Sequence, residues 1–317
     1  MHKHIFRYVL LSLMLSFPLY AGSRLSSGFE FLRTDFSPRT AAMARSFQTV
    51  RGDLSAVFTN PAGMIYSEGQ QFAFYYSNYL LDINGGLAGY AQPVKGLGVM
   101  TVAVTYFDYG TLEETNQFAE KTGTTFSAYD FALSVGLSDR LDDNFSYGVN
   151  VKYAFSKIEN YNASAIAADF GLLYSIPFDE NLYLGVTLLN LGINFETYAG
   201  PKEPLPMSLN LGISKILAHL PLEWSVSLKD LNESRNDFWD YFKEFSIGGE
   251  FRISESLRLR LGYDNGLNKD LKANSTQRFG GLSLGGGIHW TSYRLDYSYS
   301  NYGALGSIHR IGIKGSL

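Results

Sequence analysis

Residues Phe245–Asp264 alternate between apolar and polar side chains along two successive segments. Phe245, Ile247, Gly249 and Phe251 share one face, and Ser246, Gly248, Glu250 and Arg252 share the other. After a turn at Ile253–Ser256, Leu257, Leu259, Leu261 and Tyr263 oppose Arg258, Arg260, Gly262 and Asp264. Successive strand side chains point to opposite faces, so this is a hairpin with one apolar and one charged face. A soluble sandwich carries this pattern with the apolar face as its core. An outer-membrane barrel carries it with the apolar face toward lipid and the charged face toward the lumen. One hairpin does not decide between them.

The N-terminus points to export. His2, Lys3, His4 and Arg7 form a basic region, Tyr8–Leu19 is apolar, and Ala21–Gly22 is a plausible cleavage site, so 1–21 is expected to be a signal peptide. Nothing later in the chain approaches the roughly 18 apolar residues of a membrane helix. A chain like this enters a membrane only as a barrel. The absence of cysteine removes disulfides, thiolate zinc sites and thiol nucleophiles together. A net charge of −4 gives no field for nucleic acid.

The alternation recurs. Strands are expected at about 70–78, 85–92, 98–107, 127–137, 145–156, 164–175, 181–190, 205–214, 222–229, 245–252, 257–264, 280–290, 292–300 and 306–315. That is about fourteen, an even number as in bacterial barrels. The connections alternate in length: Asp108–Phe126, Lys157–Ala163, Leu191–Pro204, Asp230–Lys243 and Asn265–Phe279 are longer than those between them. Barrels have short periplasmic turns and longer outer loops, an asymmetry a sandwich does not need. Aromatics near strand ends (Phe145, Phe155, Tyr263, Trp290 and Tyr299) suit interfacial girdles. The chain is therefore expected to be all-β: a fourteen-stranded antiparallel transmembrane barrel over 70–317, in the bacterial outer membrane. It ends in Leu317 where many such proteins end in an aromatic residue.

Residues 22–69 stand apart. Arg39–Arg51 carries Ala41, Ala42, Met43, Ala44 and Phe47, a short helix candidate after Pro38, and Asn60-Pro61-Ala62-Gly63 is a turn cluster. The segment suits a plug inside the barrel, a periplasmic arm or a capping helix.

No catalytic set is visible. His2, His4, His219, His289 and His309 have no metal-ligand spacing, and the glycine-rich Gly280–Gly287 lies in a strand with no helix after it. No cofactor is expected. Glu250, Arg252, Arg258, Arg260, Arg294 and Asp296, with Asp264, would face the lumen, as an ion path or as a paired network holding a plug. The interspersed signs favour the network. Phe238, Trp239, Tyr241 and Phe242 fall in a long connection, as a partner or lipid contact or as a loop folded over its own barrel mouth.

Gly28-Phe29-Glu30-Phe31-Leu32, Ser37-Pro38-Arg39-Thr40-Ala41-Ala42-Met43 and Asn60-Pro61-Ala62-Gly63 resemble the start of PorV/PorQ-family proteins. Asn150-Val151-Lys152-Tyr153, Ser156–Tyr161, Ala167–Gly171, Glu203-Pro204-Leu205-Pro206 and Arg260-Leu261-Gly262-Tyr263 look closer to the PorQ-like members. Ala44-Arg45 stands where the family usually has Gly-Gly or Gly-Glu. The family is distantly related to the FadL fatty-acid channels, fourteen-stranded barrels with an N-terminal hatch. The resemblance implies a non-enzymatic part of a type IX secretion system that anchors the cell-surface attachment complex. Its implied partners are outer-membrane lipid and proteins resembling PorZ, PorU and PorV. The alternatives are a FadL-like channel for hydrophobic small molecules and a PorV-like cargo shuttle. The inward residues, mostly small or charged, lean against a fatty-acid tunnel.

Overall fold

The computed structural model describes residues 28–198, 202–271 and 279–317. The signal peptide expected at 1–21 lies outside the described residues. Fourteen strands close into one antiparallel barrel in which each strand pairs with its sequence neighbours and β1 pairs with β14. They are β1 Gln71–Asn78, β2 Asn84–Val94, β3 Gly98–Thr115, β4 Lys121–Arg140, β5 Phe145–Ile158, β6 Tyr161–Ser175 and β7 Leu182–Glu196. β8 Ser208–Ile216, β9 Leu222–Leu228, β10 Phe245–Arg252, β11 Leu257–Asp264, β12 Leu282–Trp290, β13 Tyr293–Asn301 and β14 Ser307–Ser316 complete it. Closure runs in register from Gln71 opposite Ser316 to Asn78 opposite His309.

The alternation works as the pattern predicts. Phe74, Val135, Val151, Leu211, Leu261, Leu295 and Ile311 are exposed on the outer surface, while Ser134, Asn150, Ser225, Glu250, Arg260 and Asp296 are buried inside. A wall that hides its polar side chains and exposes its apolar ones is stable only against lipid.

The strand ends depart from expectation in four main places, one of them β7, which runs on to Glu196 through the start of the connection expected at Leu191–Pro204. Asp108–Phe126 was expected to be a loop, but β3 and β4 continue through it as a ribbon that turns at 116–120. Beyond Gly110 nearly all its residues are exposed, so no apolar face marks it as strand. Likewise β5 and β6 run on through 157–163 to a two-residue turn, with Glu159 at φ 55°. Conversely, the strand expected from 205 starts at Ser208, because Pro204 and Pro206 have no N–H to give a ladder.

Residues 28–66 run inside the barrel, and Glu68 and Gly69, before β1, are exposed. Helices α1 (Pro38–Ala42) and α2 (Ala56–Thr59) and the 3₁₀ turn Pro61–Tyr66 contact strands β3–β6 and β11–β14. The buried core is correspondingly inverted. The N-terminal segment supplies the bulk (Met43, Phe47, Val50, Leu54, Val57 and Met64), and the wall supplies small residues such as Ala132, Ala154 and Ala165.

Candidate functional site

The inner segment is built by strong local signals. Pro38 occupies the first turn of α1, and the Ser37 hydroxyl accepts from the Thr40 N–H. Asn60 caps the 3₁₀ turn: its Oδ1 accepts from Ala62 N at 3.1 Å, while Nδ2 donates to the carbonyls of Gln48 (2.8 Å) and Leu172 (3.1 Å). Asn60, Pro61, Ala62 and Gly63, the turn cluster singled out from sequence, are all buried at the short-turn end of the lumen. Gly63 is required by space, since a Cβ there would lie 1.9 Å from the Val50 carbonyl oxygen.

The segment follows a track of inward-facing small residues. A Cβ on Gly148 of β5 would lie 2.3 Å from the carbonyl carbon of Pro61, and one on Gly262 of β11 would lie 2.4 Å from the Ala44 nitrogen. Gly171, Gly185, Gly212, Gly248 and Gly285 meet Asn60, Gln48, Met43 and Ala42 equally closely. On β9, between Gly212 and Gly248, the residue is Ser225, whose Oγ lies 2.7 Å from Ser46 Oγ. The wall is thus cut away where the segment passes.

Ion pairs complete the attachment. Asp53, 1 % exposed at its side chain, lies 2.6 Å from Arg294 Nη2, 3.4 Å from Arg39 Nη1 and 3.8 Å from Lys314 Nζ. Burial pushes the Asp53 pKa up, but Arg294, Lys314 and Arg39 outweigh it and hold the carboxyl well below the usual carboxylate range. Arg39 forks onto Glu250 with two bonds of 2.9 Å. Arg260 bridges Glu250 (2.6 Å) and Asp296 (2.7 Å), and Arg294 also donates to Asp296. A second link joins Arg51 to Glu223 at 2.6 Å.

Of the six lumen charges expected from sequence, Glu250, Arg260, Arg294 and Asp296 therefore come together. Arg252 and Arg258 do not: Arg252 reaches only within 4.0 Å of Glu223, and Arg258 binds the backbone carbonyls of Ser254 and Leu257 at the short-turn rim. Asp264 sits at the opposite end, paired with Lys229. Sequence reasoning missed Arg39, Asp53, Arg51, Glu223 and Lys314. The inward glycines were the available signal, because repeated glycine inside strands marks close backbone approach.

The aromatic run lies on a one-turn helix, α3 (Phe238–Tyr241), between β9 and β10. The rings of Phe238, Trp239 and Phe242 meet edge-to-face or tilted, with centroids 5.4–5.8 Å apart, and stay exposed, while Tyr241 lies 5.9 Å from the Arg235 guanidinium.

At the long-loop end the inner segment does not fill the lumen. It leaves a cavity of about 280 Å³, floored by Thr34, Ala44, Arg45 and Phe58 and walled by Asn190, Asn210, Ser300 and Arg310. Leu32, Leu189 and Leu267 add apolar patches. Among the described residues no group of three His, Asp or Glu is placed to hold a metal ion.

No family model matches the chain, and no curated protein does. Solved structures do. The Ralstonia pickettii toluene transporter TbuX aligns with TM-score 0.59 at 12% identity, over 90% of this chain and 100% of its own. The CymD monoaromatic hydrocarbon channel gives 0.56 at 12%, over 92% and 99%. A Pseudomonas aeruginosa FadL homologue gives 0.52 at 12%, over 87% and 97%. The fold is that of the FadL-type channels. At this identity the likeness speaks for the fold alone, and at that level it supports the FadL-related side of the resemblance.

Proposed function

We propose that the chain is a non-enzymatic outer-membrane barrel that admits small hydrophobic or amphipathic molecules from the outer face, with the inner segment as its hatch. The carrying observation is the cavity at the long-loop end, whose floor is that segment itself. A solute entering there meets the element that would have to move. The mixed lining, Leu32 and Leu189 beside Asn190 and Asn210, suits a molecule with one polar end. The apolar outer wall supports placement in the outer membrane. The fold neighbours, among them toluene transporters and hydrocarbon channels, favour this reading over the secretion role. The test is uptake of labelled benzyl alcohol and longer amphipathic alcohols into liposomes carrying the purified protein. Uptake no faster than into empty liposomes removes the proposal.

One observation favours a second reading, an anchor in a type IX secretion complex. The exposed cluster Phe238, Trp239 and Phe242 is an apolar patch on the loop side. Partners would be proteins resembling PorZ, PorU and PorV, or a cargo protein if the barrel is a shuttle. Affinity purification from solubilised outer membrane followed by mass spectrometry tests this, and recovery of the barrel without them removes it.

A further inference from the structure

Leu32, Thr34 and Phe58 each face two spaces. Besides bordering the outward cavity, they border a second void of about 10 Å³, the least that holds one water. Its other walls are Phe31 from the hatch and Thr105, Ala132, Ser134 and Lys152 from β3, β4 and β5. Thr105 lies opposite Ala132 and Ser134 opposite Lys152 in the strand register, so these inward side chains form one patch. Space therefore continues past Leu32 and Phe58, which are half-buried and pack against the core of the hatch.

The patch behind them is polar. The buried Ser134 Oγ has no hydrogen-bond partner among the described residues. Lys152 Nζ binds Asp169 at 2.7 Å and Asn190 Oδ1 at 2.8 Å, which leaves one N–H of the ammonium over. Asn190 also lines the outward cavity, so it reaches both sides of the partition.

The two halves of the partition are held differently. Phe58 sits on α2, which runs into the buried Asn60 anchored on the Leu172 carbonyl (3.1 Å). Leu32 rides on a single 3₁₀ turn, Glu30–Arg33, entered through Phe29 in the left-handed region at φ 58°. That turn is tied outside the strands. The Gly28 N–H donates to the Pro204 carbonyl (3.0 Å), and Arg33 donates to Asp230 (3.0 Å) and to the Met207 carbonyl (3.3 Å). At its far end the Asp35 carbonyl accepts from Arg310 Nε (2.7 Å). It is a strap across the lumen, laid beside a seated helix.

We infer that Leu32 and Phe58 are the size-selecting constriction of the inward path: a molecule leaves the outward cavity when the strap parts from Phe58, and moves toward the patch of Ser134 and Lys152. This deepens the uptake reading and rests on it for the passage of solute, but the partition itself is tested without transport.

The chain has no native cysteine, so Ser134→Cys gives a thiol reagent one target, behind the partition. The full detergent-purified chain is treated with methyl methanethiosulfonate, and labelling is followed by mass. Ser134→Cys alone should label slowly. Adding Leu32→Ala or Phe58→Ala should speed labelling at least about tenfold, since either lowers the cost of opening the partition. Leu267→Ala, which lines the outward cavity but not the void, should leave the rate unchanged. Fast labelling of Ser134→Cys alone overturns the inference, as does equal acceleration by Leu267→Ala or none by Leu32→Ala. Leu32→Ala on the strap carries the test if Phe58→Ala gives no folded gel band. In liposomes, Leu32→Ala and Phe58→Ala should extend uptake from benzyl alcohol to the bulkier 1-naphthalenemethanol. An unchanged size limit in both overturns the selecting role. Faster labelling without uptake by wild type or variant keeps the partition and removes the channel. Wild-type uptake with labelling unmoved by Leu32→Ala and Phe58→Ala removes this inference alone.

Discussion

Asp53 is the residue on which the attachment of the hatch turns. Three cations from α1, β13 and β14 surround one buried carboxylate. Asp53→Asn keeps the shape and removes the carboxylate that Arg39, Arg294 and Lys314 share. Arg39 keeps Glu250 and Arg294 keeps Asp296, but Lys314 is left with no carboxylate among the described residues, a kind of change that costs roughly 3–5 kcal/mol in buried pairs. The expected outcome is a lower thermal midpoint for loss of the folded gel band. The pH dependence has a definite sign. The folded pKa is depressed, so the stabilisation is complete above the ordinary carboxylate pKa of about 3.9 and is lost only as pH falls through the depressed value. The midpoint should therefore hold from neutral pH to about 5 and then fall in stronger acid, and Asp53→Asn should flatten that step. Glycines allow a matched comparison. Gly148→Ala drives a methyl into the Pro61 backbone, while at Gly286 the nearest atom to a new Cβ is 3.6 Å away. Thermal scans should show a clear loss for the first and almost none for the second. Comparable losses would mean that the close track does not seat the hatch. At this scale the sequence showed which charges face inward, because side-chain alternation is local. It did not show that Arg39 reaches Glu250, a contact across 211 positions made only once the hatch threads the barrel.

At the scale of elements, strands were readable wherever they cross lipid. There one face must be apolar and the other polar, and β5, β10 and β11 carry that imprint along most of their length. Where a strand leaves the membrane the constraint ends, and so does the pattern. Thr111–Phe126 therefore reads as a loop although it is a paired ribbon. The hatch has too little regular structure to carry a period, since α1 and α2 have five and four residues. The helix candidate after Pro38 and the turn cluster at Asn60–Gly63 were visible, but the path of the hatch was not. Helix α3 poses a different question, because the three clustered rings of Phe238, Trp239 and Phe242 around it bury little against the barrel. Trp239→Ala should leave thermal stability nearly unchanged, as exposed substitutions do. If the rings hold a partner, the same change should reduce its recovery in a pull-down. Unchanged recovery would leave the cluster as a loop packed on itself.

For the whole molecule, strand number sets what the hatch must do. Eight strands enclose only their own side chains, and sixteen to eighteen leave an aqueous channel. Fourteen fall between, and the inward wall here is pared down to glycine, alanine and serine along the track. Without residues 28–66 such a barrel should be open. Proteoliposomes with the truncated chain, once its folded gel band is verified, should swell in small sugars, while those with the full chain should not. Swelling by the full chain would show that the hatch does not seal. A sealed barrel is still either a gated channel or a plugged anchor, and the lack of native cysteine makes the two separable. The hydroxyl oxygens of Ser46 and Ser225 lie 2.7 Å apart, so Ser46→Cys with Ser225→Cys places two thiols within bonding reach across the hatch–wall contact without adding a Cβ to the glycine track. If the hatch moves to admit solute, the oxidised pair should abolish uptake and a reductant should restore it. Uptake that ignores the lock would mean that solute passes around a fixed plug, through the side of the cavity and not through its floor.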